Sequence, residues 1–383
     1  MDNPDVVVDN AGFYNLGRTD KSKPIDDVGT NIDGSAGGGT NIRGRYPLHL
    51  HRTGVADING TSAEIKGNAV FGSPGWGITH HESNADIENN VVFDVVGAGF
   101  MSESGTELGA WRNNIAIKTK DGTPGNFNPA DFDRQLNYDM GFEGDGFWVQ
   151  GAGPGLEITD NIAISNSGAG IDFHNVRHAV AREKAEPGAA HFAVKNLTPQ
   201  LQSELSQLGL TEVDIAVLPI RKFSGFVTYN SYGVLNFYGV SRNEDGQGSS
   251  SNPQNYQLAI NERSRLQNFQ GWNLYGTGIT EAYTDNIDFV NGLIAGNTTS
   301  PYKYYGVYGN SASINHLYKN IRVEGFPTGF RVPAESLATP YGSATLSTPI
   351  ASSRLEDSFL ANGTNFSSFV SRLWSGADNY RYP

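Results

Sequence analysis

Four of the eight histidines and one glutamate carry the chemistry most worth placing in this sequence. His51, His81 and Glu103, with His174 further along and His49 two residues before His51, combine proton transfer with metal affinity. An imidazole titrates near neutrality and can take or give a proton at pH 7. Two imidazoles and a carboxylate also make a nitrogen and oxygen set that suits Zn²⁺ or a similar divalent ion, with a fourth position left open for water or substrate. Calcium fits this set less well, because a hard cation prefers oxygen. The metal set read from the sequence is therefore His51, His81, Glu103 and His174. The same region serves acid–base chemistry without an ion. Glu103 is then the general acid, Asp172 the carboxylate that activates water, and His49 and His81 the imidazoles that move protons. No zincin-type motif brings these residues together, so the fold has to do it.

The element that does so is a repeat. Asn68, Asn90, Asn114, Asn161 and Asn320 each precede alternating apolar residues, as in Asn90-Val91-Val92-Phe93 and Asn161-Ile162-Ala163-Ile164. In four of the five a glycine follows nine residues later, at Gly77, Gly99, Gly170 and Gly329, and Ile78, Phe100, Ile171 and Phe330 come next. Asn68 and Asn90 lie 90 − 68 = 22 residues apart, a step that solenoid coils keep and antiparallel sandwiches have no reason to keep. Gly and Asn at the corners tolerate the left-handed backbone that sharp turns need. The sequence predicts an all-β, right-handed, single-stranded parallel β-helix over residues 1–383, one domain interrupted near 121–144, 176–218 and 243–257. Within the second interruption, Thr198 to Gly209 reads as a short helix, with Thr198 as N-cap, Pro199 at its first position and Gly209 as its stop.

Setting the Gly-Ile and Gly-Phe corners in register stacks Leu48, Ile78, Phe100, Phe147 and Ile171 inward. Period 2 then sends His49, Thr79, Met101, Trp148 and Asp172 outward in one column, and His51, His81, Glu103, Gln150 and His174 in another. Successive coils lie about 4.8 Å apart, close enough for stacked imidazoles and a carboxylate to share an ion or a proton. His80 points inward. Trp148 and Tyr46 are expected to stack on sugar rings, whose apolar faces match an aromatic face. Arg45, Arg52 and Lys118, with Lys120, are expected to bind carboxylates on a polymer.

Composition bounds these readings. Apolar residues make up only 38 %, against 47 Gly and 17 Pro, which suits many short strands and not a helical core. A net charge of −13 repels nucleic acid and anionic membranes, so an anionic substrate needs a local basic patch. The absence of cysteine removes disulfides, thiolate metal sites and cysteine nucleophiles. No apolar run approaches a membrane span, and nothing in the sequence fixes an oligomeric state.

Two blocks carry a resemblance. Gly44-Arg45-Tyr46-Pro47-Leu48-His49-Leu50-His51 and Gly99-Phe100-Met101-Ser102-Glu103-Ser104-Gly105-Thr106-Glu107 resemble the Arg-Tyr-Pro-x-His-x-His and Phe-Phe-x-Glu-Asp-Gly-x-Glu blocks of the cell-migration-inducing hyaluronidase group. That group includes the transmembrane hyaluronidase and fibrocystin. Weaker similarity lies at Gly146-Phe147-Trp148 and at Leu218 to Phe223, and the resemblance as a whole runs from about Val6 to Arg242. By position it reaches Arg45, His49, His51, Glu103 and Glu107. Ser104 departs from the acidic residue expected there, and the group's cysteines are missing. The group also carries a glycine-rich β-domain ahead of the helix, so the chain is expected to be an excised domain or a reduced relative. The resemblance implies a parallel β-helix, a secreted or cell-surface setting and hyaluronan depolymerisation in the members that are enzymes. The expected activity is hydrolysis of a uronate-containing polysaccharide. The competing expectations are a lyase, with His51 or His81 as base and a metal or Arg52 on the uronate carboxyl, and a non-catalytic carbohydrate-binding module.

Overall fold

The computed structural model describes residues 5–31, 34–122, 139–174, 191–240, 262–282, 284–301, 304–309, 313, 315–333 and 353–369. Of the three predicted interruptions, the third and most of the first fall outside these residues, as does the second up to residue 190.

Among the described residues, twenty-six strands join in one sheet system, and every pairing within it is parallel. The chain forms the parallel β-helix that the repeat predicts. Its corners follow from backbone conformation. Gly67, Asn89, Asn113 and Asp160 hold left-handed φ between 54° and 67° just before the repeat asparagines, a region that Gly, Asn and Asp enter at least cost. The strands Ala69–Phe71, Val91–Phe93, Ile115–Ile117 and Ile162–Ile164 run between these corners and a second set at Gly72, Asp94, Lys118 and Ser165.

Inside the corners the asparagines form a buried ladder. Asn90 Oδ1 accepts from the Asn68 backbone N–H (2.9 Å) and Nδ2 (3.0 Å), while Asn90 Nδ2 donates to the Ile65 carbonyl (2.8 Å) and to Asn114 Oδ1 (3.0 Å). Asn114 repeats the pattern on Asn161. The ladder supplies partners to backbone groups that leave the sheet at the corner and would otherwise be buried without one.

The strands Leu48–Gly54, Ile78–Glu88, Phe100–Ser102, Phe147–Gln150 and Ala169–His174 build the face that matters here. Their registers pair Leu48 with Ile78, Ile78 with Phe100, Phe100 with Phe147 and Phe147 with Ile171. These five side chains are buried in the main core, where Phe100 and Phe147 stack at 4.7 Å. Each such side chain contributes roughly 1.5–3 kcal/mol through burial. His80 joins the inward side. Its Nε2 donates to the Ser83 carbonyl (2.7 Å), its Nδ1 accepts from Trp111 (3.3 Å), and burial pushes its pKa down to about 4.

The second interruption, where described, is a small satellite. His191–Ala193 pairs antiparallel with Glu212–Asp214, and the helix Pro199–Gln207 is capped by Thr198 as the sequence predicts. Leu201 and Leu205 pack with Phe192, Val213, Ile215 and Leu218 against Leu108 of the coil.

Asn90→Ala should cost about 2–4 kcal/mol, since it leaves several buried groups short of partners. Urea denaturation measures this, and a loss below about 0.5 kcal/mol would remove the ladder from the account.

Candidate functional site

Register places the outward columns where the repeat puts them. His49 pairs with Thr79, His51 with His81, Met101 with Trp148, Trp148 with Asp172, and Gln150 with His174. Among the described residues, two groups bring three ligand atoms within 4.8 Å of one another: His49, His81 and Glu103, and Glu143, Asp145 and Asp172.

The first group forms around Glu103. Its Oε2 lies 3.3 Å from His81 Nδ1 and 3.5 Å from His49 Nε2. His49 is aimed from behind: Nδ1 sits 2.9 Å from the Gly44 carbonyl. A carbonyl only accepts, so Nδ1 carries a proton and Nε2 is turned toward the carboxylate, whose contact raises the His49 pKa although burial opposes it. The Gly44 backbone lies at φ 77°, which permits the turn that presents this carbonyl.

Glu103 is positioned by Glu107, which is fully buried. The Glu107 carboxylate accepts from Ser102 Oγ (2.5 Å), Ser104 N–H (2.8 Å), Gly105 N–H (2.8 Å) and Glu82 N–H (3.2 Å). It thereby ties the turn holding Glu103 to the coil holding His81. At Gly105 a Cβ would meet the Gln150 carbonyl at 2.5 Å and Ile215 at 2.7 Å, so the satellite closes against this turn.

Electrostatics revises the roles expected of the carboxylates. Burial alone would raise the Glu103 pKa, but His81 and then His49 outweigh it and hold it at about 2. Glu103 is therefore ionised and suited to be a ligand or base, not the general acid. Asp172 is fully buried, so no substrate atom reaches it where it stands. Burial lifts its pKa to about 7, and it lifts Glu143 to about 8 with repulsion from Asp145 and Asp172 added.

Other expected site residues are placed differently. His51 is exposed at the rim, its ring 5.1 Å from His49 and 4.7 Å from His81, and stands outside the ligand set. The strand turns at Arg52, at φ 55°, and carries His51 toward solvent, while the Gly44 anchor swings His49 into its place. His174 lies outside both groups but beside the second, with Nδ1 3.6 Å from Asp172 Oδ2. Tyr46 and Trp148 are buried and offer no open sugar platform. They form a roof with Trp76, Met101 and Met140, in which Tyr46 stacks on Trp76 at 4.3 Å. Lys118 occupies an exposed corner away from this face, paired with Asp94 at 3.2 Å, and Lys120 shares Asp94 at 2.8 Å. Arg45 is exposed beside Tyr46, and Arg52 pairs with Glu82 at 2.9 Å on the rim.

Glu143 and Asp145 were missed by sequence reasoning because they end a segment read as an insertion. The signal lay in their alternate spacing immediately before Gly146-Phe147. Arg43 was missed as well; it pairs with Asp27 at 2.8 Å and helps lower the Glu103 pKa.

Residues 34–201, which include every member of both groups, match the family model described as CEMIP beta-helix, the same β-helix region that the motif blocks resemble. No curated protein matches the chain. Among solved structures, the chain is similar to the A-module of the mannuronan C-5 epimerase AlgE4 of Azotobacter vinelandii, at 11 % identity over 85 % of this chain and 73 % of that one, with a TM-score of 0.29.

The raised carboxylates set a pH dependence. With a chelator present, the folded chain keeps protons on Asp172 and Glu143 at a pH where the unfolded chain, near the ordinary 3.8 and 4.5, has released them. Their stabilisation is full below about pH 4 and is lost as pH rises through about 7 to 8. Glu103 acts oppositely, its contribution fading as pH falls from 4.5 toward about 2. Buried His80 and His174, lowered to about 4, act oppositely below about pH 6.5, so urea midpoints are compared from pH 7 to pH 8.5, where they should fall with rising pH; a midpoint rising across that window would contradict the cluster's electrostatics.

Proposed function

We propose that the chain cleaves a uronate-containing polysaccharide by hydrolysis, at a divalent metal ion held by His49, His81 and Glu103. One observation carries the reading: His49, His81 and Glu103 converge, with Glu103 Oε2 3.5 Å from His49 Nε2 and 3.3 Å from His81 Nδ1. His49 Nε2 and Glu103 Oε2 are buried and make no hydrogen bond. A buried, ionised carboxylate oxygen beside two ring nitrogens calls for a compensating positive charge, and a divalent ion supplies it to all three donors at once. Separations of 3.3 and 3.5 Å fit the edge of a tetrahedral site, about 3.4 Å for bonds of about 2.0–2.1 Å. Nitrogen and oxygen donors favour Zn²⁺ or a related ion over calcium.

Such an ion supplies an activated water and a Lewis acid when bound. The chain's own residues supply the rest. Gly44 fixes the His49 tautomer, Glu107 fixes the Glu103 turn, and exposed His51 is the imidazole that a bound polymer reaches for proton transfer. Arg45 and Arg52 on the rim provide local positive charge against a net charge of −13. The match of residues 34–201 to the CEMIP beta-helix family supports a polysaccharide as substrate and a secreted or cell-surface setting.

Elimination is the second reading, favoured by His51. Burial and then His49 lower its pKa, so it is neutral at pH 7 and able to accept a proton. The bound ion, or Arg52, would then offset the uronate carboxylate.

Purified protein given a panel of uronate polymers should release products heavier by one water and lacking ultraviolet absorbance. It should carry close to one transition-metal ion per chain. His81→Ala should lose that ion and at least about a hundredfold in activity with an unchanged circular dichroism spectrum. An absorbing, unsaturated product would transfer the assignment to a lyase. Full activity in metal-free protein would overturn the metal centre, and no product from any polymer would leave a binding module.

A further inference from the structure

The carboxylate group two coils along is built differently. Asp172 faces outward from Ala169–His174, and Glu143 and Asp145 come from the segment that re-enters the coil just before Phe147–Gln150. One oxygen from each lies within 4.8 Å of the others. Of the four aspartate oxygens, two are hydrogen-bonded. Asp145 Oδ1 accepts from the Ala169 N–H at 2.7 Å and Asp172 Oδ2 from Asn236 at 2.9 Å, while Asp145 Oδ2 and Asp172 Oδ1 are buried and make no hydrogen bond.

A separate observation points into the same space. His174, only 6 % exposed, is clamped between Trp148 at 4.7 Å and Tyr238 at 5.0 Å, both rings nearly parallel to it. Its ring edge is thereby fixed, and Nδ1 is directed at Asp172 from 3.6 Å without making a hydrogen bond. Burial pushes its pKa down to about 4, so it offers no positive charge to the carboxylates at neutral pH.

We propose that Glu143, Asp145 and Asp172 hold a calcium ion, with His174 Nδ1 facing the same ion, and that this ion fastens the roof of the neighbouring site. Oxygen donors in this number suit a hard cation with bonds of about 2.3–2.6 Å, and a set of three carboxylates is what the nitrogen-rich His49, His81 and Glu103 centre is not. The consequence for the roof follows from the chain. Residues 139–145 carry Asp139, which pairs with Lys21 and accepts from the Ile25 N–H at 3.0 Å, then Met140, which packs in the roof, and Gly141, whose carbonyl accepts from Trp76 Nε1 at 2.7 Å. Pinning Glu143 and Asp145 to Asp172 therefore anchors the roof to the coil below it.

The test is thermal unfolding of the full chain at pH 7.5 after EDTA treatment, with calcium chloride returned alone. Wild type should gain about 3–5 °C at saturating calcium, with one ion bound per chain by calorimetry. Glu143→Gln and Asp172→Asn should each abolish that gain; Glu143 is the less buried of the two, so its variant guards against misfolding. His81→Ala should keep the gain, which separates this ion from the catalytic one. No shift in wild type, or an undiminished shift in both carboxylate variants, overturns the proposal, as does zinc giving the shift where calcium does not.

Discussion

Within the corner of each early coil, a buried asparagine gives its carbonyl oxygen to the coil before and its amide to the coil after. Asn90 does this between Asn68 and Asn114, and Asn114 does it between Asn90 and Asn161. The side chain cannot serve both neighbours unless the coils are in one register. A slip of one residue would turn every inward side chain outward. The ladder therefore fixes more than the corner. It holds Leu48, Ile78, Phe100, Phe147 and Ile171 in a single inward column, and it sets His51 beside His81 on the opposite side, with Glu103 just past the end of Phe100–Ser102.

On that outward side the structure accepts an electrostatic cost. Glu103 is ionised among buried groups, and Glu143, Asp145 and Asp172 crowd together two coils away. Buried charge persists only when something compensates it. The surrounding packing aims the donor atoms of each group at one another. Gly44 and Glu107 aim the first set, and Trp148 and Tyr238 clamp His174 toward the second. The roof residues Tyr46, Trp76 and Met101 exclude water between them.

Most of the fold was legible, because it rests on local signals. The nine-residue Asn-to-Gly spacing, the 22-residue step and the Thr198-Pro199 cap each report backbone geometry that a few residues determine. The outward columns were legible for the same reason. What sequence could not supply was side-chain reach. His49 and His51 differ by two residues in one strand, and only the Gly44 carbonyl and the left-handed Arg52 decide which ring meets Glu103. Trp148 has the alternation of an exposed residue but packs in a cluster with Met140, from the interrupted segment just before it, and Trp76, from a coil far earlier in the chain. Lys118 looks like a free cation in sequence and is a corner residue paired with Asp94. Glu143 and Asp145 lie where the repeat is interrupted, so no register could assign them.

The central claim is that a metal ion supplies the positive charge between His49 Nε2 and Glu103 Oε2. X-ray absorption at the zinc edge, on protein loaded with one equivalent of zinc, examines that contact directly. The account predicts two imidazole nitrogens and light oxygen ligands at about 2.0–2.1 Å, with one imidazole lost in His49→Ala. A spectrum without imidazole scattering, or one that His49→Ala leaves unchanged, would contradict it and leave a proton on His49 as the compensating charge.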